Sequence, residues 1–146
     1  MSTEKVLATL EPGFRVIVED MISQLEKEGI RCVAVSGRRT IHEQNELFAK
    51  GRDSEGNIIG KIVTRARGGQ SPHNFGLACD VCPLDANDNL WWNAPDDVWH
   101  VIAIKAKELG LNDGYDFKSI KDSPHVESAQ WKVAQALWKE GKLNVA

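Results

Sequence analysis

The order of elements legible in the sequence predicts a single α+β domain, and two observations carry that reading. Apolar residues recur at three- and four-residue steps in some stretches and form short, partly β-branched runs in others, and the two kinds do not alternate as regular β-α-β units would. The chain has 146 residues, 42% of them hydrophobic and 27% charged, which is the size and composition of one globular core without a second domain.

From Glu11 to Lys27, the residues Phe14, Ile17, Val18, Met21, Ile22 and Leu25 make the stripe of an amphipathic helix, closed by Gly29. Cys32-Val33-Ala34-Val35 predicts a buried strand that runs into a turn at Ser36-Gly37. Thr40 reads as the N-cap of a second helix, with Glu43 at the capping-box position and an end near Gly51. Residues 52 to 72 read as a loop or small hairpin leading to the irregular Gly68-Gly69-Gln70 segment. Gly76 to Pro83 fits a strand that Pro83 terminates, followed by a turn-rich stretch, Asp85 to Asp97, that carries Trp91 and Trp92. A third helix is expected from Pro95 or Asp96 to Leu109, stopped by Gly110, and a fourth from Ser128 to about Lys139.

Composition excludes several functions. A net charge of -3, with no basic run longer than Arg38-Arg39, offers nucleic acid no electrostatic footprint. No apolar segment approaches membrane-spanning length, and the polar start MSTEKVLATLEPG lacks the basic and apolar regions of a secretory signal. Synthesis in the cytoplasm of a host cell and a monomeric state are the expectations. Three cysteines are too few for a disulfide framework; Cys79 and Cys82 form a C-x-x-C, but only Cys32 remains to complete a zinc knuckle, so buried strand residues are the simpler reading. Asp85-Ala86-Asn87-Asp88-Asn89 has oxygens at alternate positions of a calcium loop without its glycine or its final glutamate.

The chemistry concentrates in SPHNFGLACDV, residues 71 to 81, and KDSPHVES, residues 121 to 128. Asp80 sits in the middle of an apolar strand, where burial is costly unless something such as a metal ion compensates its charge. Pro124 pushes Ser123 out of the helical region, so His125 enters on an extended segment, and Asp122 cannot be its partner along a helix face. His73, Asp80 and His125 together supply the three protein ligands of an open zinc site, and Asp122 is left free to accept a proton from water. The bland alternative is a pair of surface or core histidines and a turn-capping aspartate. Glu127 is a rival base, since on a strand it shares a face with His125. His42 and His100, on expected helices beside charged residues, read as exposed.

SPHNFGLACD matches S-x-H-x-x-G-x-A-x-D at every specified position, and DSPH matches a companion D-x-P-H. SGRRTIHEQNELFAKGR and KIVTRARGGQSPHNFGLACDV extend the match, so that residues 12 to 130 resemble the VanY-like D-alanyl-D-alanine carboxypeptidase and L-alanyl-D-glutamate endopeptidase family, which includes many phage endolysins. The resemblance implies a small antiparallel sheet flanked by helices, related to the zinc-bearing Hedgehog signalling domain. It implies zinc (Zn2+) on His73, Asp80 and His125, Asp122 as general base and Arg39 as the group that polarises the scissile carbonyl. Gln44, one helical turn beyond Arg39, and Ser71, just before His73, are candidate substrate-binding residues. Arg38 departs from the family's usual tyrosine, and LGLNDGYDFKSIKDSPHVES replaces a tryptophan- and glycine-rich version of the lip.

The expected partner is the peptidoglycan stem peptide, and the expected activity is hydrolysis of its L-alanyl-D-glutamate bond by an endolysin that lacks a wall-binding module and reaches the wall through a membrane-disrupting partner. A D-alanyl-D-alanine carboxypeptidase is the rival enzyme. A non-catalytic, zinc-stabilised binding domain is the rival from another class, though it would have no need of Asp122 or Arg39. Trp91 or Trp92, on a loop, is a candidate glycan contact.

Overall fold

The computed structural model describes residues 2–118 and 120–146. Strands β1 (Cys32–Ser36), β2 (Ala78–Pro83), β3 (Leu111–Asp113) and β4 (His125–Ser128) form one sheet in the order β1-β2-β4-β3, with every neighbouring pair antiparallel. Helices α1 (Thr3–Leu7), α2 (Pro12–Lys27), α3 (Ile41–Ala49), α4 (Asp96–Glu108) and α5 (Trp131–Lys139) flank it. This is the α+β architecture expected, with the antiparallel sheet that the motif resemblance implied.

Helix α2 begins one residue after the expected Glu11 because Glu11 caps it, accepting hydrogen bonds from the backbone N–H groups of Gly13 and Phe14 at 2.9 Å each. Phe14, Val18, Met21 and Leu25 then bury one face in the core shared with Ala34, Val81, Ile102 and Val126. Met21 and Leu25 are fully buried, so truncating either to alanine costs about 2–5 kcal/mol. Helix α3 carries the expected capping box, reciprocal between Thr40 and Glu43.

Four features depart from the sequence expectations. The polar start forms the short helix α1, whose Val6 and Leu7 join the core and whose Thr3 hydroxyl accepts a hydrogen bond from the Ala34 N–H of edge strand β1. Periodicity could not reveal five residues. The short strand β3 takes up part of what reads as connection, and β4, on the extended segment expected of His125 and Glu127, also includes Ser128, so the last helix starts at Trp131 rather than Ser128. The strand expected from Gly76 starts at Ala78, since Pro72–Phe75 forms a 3-10 turn that ends on Gly76 with φ of 69°. A Cβ at that glycine would also lie 2.4 Å from the Arg38 guanidinium. The glycine-rich 52–72 stretch contains one isolated antiparallel bridge, Arg52 with Ile58, in keeping with a small hairpin.

The C-x-x-C is core. Cys32, Cys79 and Cys82 are free and buried, and burial pushes the Cys32 thiol up to about 12. The Asp85–Asn89 oxygens serve a turn: Asp85 Oδ1 accepts from the N–H groups of Asn87 and Asn89, and Arg31 binds the Asp85 carbonyl and the Asp88 carboxylate. His42 is exposed and paired with Glu46, His100 is exposed and stacked on Tyr115, and Trp92 stacks on Trp99.

Candidate metal centre

Sheet register makes the first contact. Asp80 on β2 stands directly opposite His125 on β4, so their side chains share one face of the sheet. His73 comes to the same point on the 3-10 turn, which Ser71 caps by accepting the His73 N–H at 3.2 Å. His73 Nε2 and His125 Nδ1 lie 3.6 and 3.5 Å from Asp80 Oδ1. The three ligand atoms all fall within 4.8 Å of one another.

The donor set fits zinc on its own geometry. A tetrahedron with bonds of roughly 2.0–2.2 Å has edges of roughly 3.3–3.6 Å. Asp80 Oδ1 is buried and, among the described residues, is the side-chain polar atom left without a hydrogen-bond partner, which is an expensive arrangement unless a cation sits against it. Each imidazole is also held from behind. His73 Nδ1–H donates to the Gly37 carbonyl at 2.8 Å, which fixes the tautomer and frees the Nε2 lone pair. His125 Nε2 is 2.7 Å from Glu127 Oε1, which leaves Nδ1 to face Asp80. The two histidines therefore present opposite ring nitrogens to one point. The set is a zinc-binding triad.

Electrostatics agree with a site built for a cation. Burial alone would raise the Asp80 pKa, but His125 and His73 outweigh it and hold the carboxyl far below the usual range. Burial likewise opposes charge on His125, yet Asp80 and Glu127 lift its pKa to about 9. Without metal, His125 therefore keeps a proton at neutral pH that an ion must displace.

Arg39, Ser71, His73, Asp122 and His125 line one pocket of 230 Å3 together with Thr64. Arg39 is placed by its backbone N–H, which donates to the His73 carbonyl at 3.0 Å, and its guanidinium lies 3.6 Å from Asp80 Oδ2. Gln44 is elsewhere. It is only 1% exposed and does not line the pocket; its Oε1 faces Arg39 Nη1 at 3.4 Å while its Nε2 donates to the Ala66 carbonyl at 2.9 Å. The substrate contact expected of Gln44 is thus replaced by a place beneath Arg39. Ser71 does line the pocket, although its hydroxyl also caps the turn.

Asp122 is set by a tight crossing. Its N–H donates to the Gly114 carbonyl at 2.8 Å, its own carbonyl accepts the His125 N–H at 3.1 Å, and a Cβ at Gly114 would come 2.1 Å from that carbonyl oxygen. The Asp122 carboxyl, drawn partly out of water and facing the Asp80 charge, has a raised pKa. Glu127, the rival base, is buried behind His125 and absent from the pocket wall.

One residue the reading passed over is Asn74, fully buried. Its Oδ1 accepts from the Gly69 and Ser71 N–H groups and its Nδ2 donates to the Arg39 carbonyl at 3.1 Å, which ties the His73 turn to the loop before α3. The signal was present in the motif as the asparagine beside the histidine.

Fold and site together define a zinc metallopeptidase. Residues 8–134 match the family described as VanY, D-alanyl-D-alanine carboxypeptidase, and the chain belongs to that family. It is 36% identical over 130 residues, 84% of this chain and 75% of the other, to the peptidoglycan L-alanyl-D-glutamate endopeptidase CwlK of Bacillus subtilis. Its fold is similar to that of the L-Ala D-Glu endopeptidase ChiX of Serratia marcescens, with a TM-score of 0.62 at 20% identity over 97% of this chain and 91% of that one. It is also similar to the vancomycin resistance D,D-pentapeptidase VanY solved with Zn(II), with a TM-score of 0.58 at 19% identity over 90% of this chain and 79% of that one.

Proposed function

We propose that this chain hydrolyses the L-alanyl-D-glutamate bond of peptidoglycan stem peptides. The observation that carries the reading is the 36% identity over most of the chain to an enzyme of that name, joined to a complete metal triad. The chemistry a zinc ion supplies when bound here is Lewis acidity, which brings the ionisation of water toward neutral pH. Asp122 takes the proton of the attacking water and returns it to the leaving amine as the C–N bond breaks. Arg39 directs its planar donors at the carbonyl oxygen where negative charge develops. Gln44 holds Arg39 in that direction, and Ser71 contributes a hydroxyl to the pocket wall.

Endopeptidase action needs room on both sides of the scissile bond. The pocket at the triad shares Arg39 and Leu47 with a cavity of 370 Å3, and Val63, Thr64 and Asp122 with a second cavity of 420 Å3. Such a cleft suits a chain passing through. The setting we propose is wall lysis of the phage-endolysin kind by a monomeric enzyme made in the host cytoplasm, supported by the motif resemblance. Digestion of purified peptidoglycan with end-group and mass analysis tests the activity. New N-terminal D-glutamate is the expected product; release of free D-alanine with the L-alanyl-D-glutamate bond intact would transfer the chain to the carboxypeptidase reading. Co-expression with a membrane-permeabilising protein tests the setting, and cells that stay intact would refute it.

A further inference from the structure

Helix α4 meets the segment that carries Asp122. Asp96, His100 and Lys107, at spacings of four and seven residues, lie on one face of α4, and each of them touches the 114–122 loop. Asp96 takes the Tyr115 hydroxyl on one carboxylate oxygen at 2.7 Å and the Lys121 ammonium on the other at 3.5 Å. The same ammonium lies 3.8 Å above the Tyr115 ring, and His100 stacks on that ring at 5.3 Å with the planes 13° apart. Lys107 pairs with Asp116. An aspartate in the first turn of a helix ordinarily answers only to the helix dipole. Here both of its oxygens are engaged by the loop.

The two residues that Asp96 holds are the neighbours of the crossing that sets Asp122. Tyr115 follows Gly114 and Lys121 precedes Asp122, and the Gly114 carbonyl accepts the Asp122 N–H at 2.8 Å and the Phe117 N–H at 3.2 Å. These backbone bonds join the two limbs of the loop to each other. The contacts with α4 anchor the pair to a helix that is itself fixed in the core through Trp99, Ile102 and Ala106. Exposed ion pairs add little to the stability of a fold as a whole, so the consequence of this cluster is local. Resting on the role of Asp122 in the proposed function, we propose that Asp96, Tyr115 and Lys121 are positioning residues, a clip that fastens the loop to α4 and thereby holds the Asp122 carboxyl against the triad. His100 and Lys107 flank the clip and contribute less.

The test uses the zinc-loaded protein and has two arms. Hydrogen exchange reads the clip without reference to any substrate: in Asp96→Ala the amides of Phe117 and Asp122, which share the Gly114 carbonyl, should exchange about tenfold faster, while those of α2 and β2 keep their rates. Turnover of a synthetic acyl-L-alanyl-D-glutamyl-γ-lysine peptide reads the consequence. Asp96→Ala should lower kcat by about ten- to a hundredfold, the scale of misplacing a reacting group by an ångström or less. KM should stay within about twofold, since the loss falls on the chemical step, and the melting temperature within about 4 °C of that of the unaltered protein. Tyr115→Phe should lose part of the rate, and Lys121→Arg, which keeps the cation, should lose less than Lys121→Gln. Asp97→Ala, in the same helical turn, is the control and should change neither rate nor exchange. In an Asp122→Asn background Asp96→Ala should lower kcat no further, because the clip acts through that carboxylate; a full additional loss there would show a general effect on the fold and overturn the proposal, as would unchanged exchange at Phe117 and Asp122. Faster exchange in a protein that leaves the L-alanyl-D-glutamate bond intact sinks the proposed function and leaves the positioning of the loop standing, whereas cleavage at an unchanged rate in Asp96→Ala sinks the clip alone.

Discussion

His73 and His125 are 3% and 6% exposed and stand on a capped 3-10 turn and a paired strand, whereas Val63 and Ile120, at 60% and 51%, stand on connections without regular structure. The floor of the site is held by hydrogen bonds from behind: the Gly37 carbonyl on His73, the Glu127 carboxylate on His125, and Asn74 across to Arg39. The rim has few such ties. Chelation needs ligand atoms fixed to a few tenths of an ångström, and rigid elements supply that. Selection among peptides needs only a surface of suitable polarity, and loops supply that at little cost to the fold. Asp122 joins the two regions, since it stands on the loop but is pinned at Gly114.

The comparison is broken most severely at the floor. Asp80→Asn or His73→Ala should remove stoichiometric zinc and lower turnover by at least about a thousandfold, because two remaining ligands no longer define the site. Elemental analysis reads the metal directly, and full zinc occupancy in either variant would dismantle the assignment.

Asp122→Asn should lower kcat by about a hundred- to ten-thousandfold while zinc stays bound, since a proton acceptor on the rim is no ligand. Gly114→Ala should move in the same direction by forcing the Asp122 backbone from its place. If Glu127→Gln proves as damaging to kcat as Asp122→Asn, the base lies behind His125 after all.

Glu127→Gln should instead weaken zinc binding by about ten- to a hundredfold, because the amide holds the His125 ring less firmly than the carboxylate does. A chelator competition measures this, and an unchanged affinity would reduce Glu127 to a packing residue.

The smallest effect concerns pH. In the metal-free protein His125 remains protonated up to about 9, so zinc uptake expels that proton, and affinity should climb by about tenfold per pH unit below that value. The sign follows from the raised pKa: the protonated state competes with metal at low pH and stops competing above it. Isothermal titration in buffers of different ionisation heat counts the proton; zero release at pH 7 would show that the imidazole is already neutral.

Much of this molecule was readable along the chain. The stripe of α2, the capping box of α3 and the strand around Asp80 are local patterns, set by residues within a few positions of one another. So are the ligand types, because an aspartate in an apolar strand and two histidines that each follow a proline announce a charge that must be met. Helix α1, strand β3 and the late start of α5 were not readable, since runs of three to five residues become elements only through partners elsewhere in the chain.

Tertiary structure alone decided which atoms meet. The register that sets Asp80 opposite His125 spans two strands more than forty residues apart in the chain, and no local pattern encodes it. The choice of Nε2 on His73 and Nδ1 on His125 follows from what lies behind each ring, Gly37 in one case and Glu127 in the other. The same holds for Gln44, whose position one turn from Arg39 fitted a place on the wall as well as one beneath it. Helical spacing puts two side chains on a common face; only the packing of the 63–70 stretch over that face, with the Ala66 carbonyl taking the Gln44 amide, determines which of them meets the cleft.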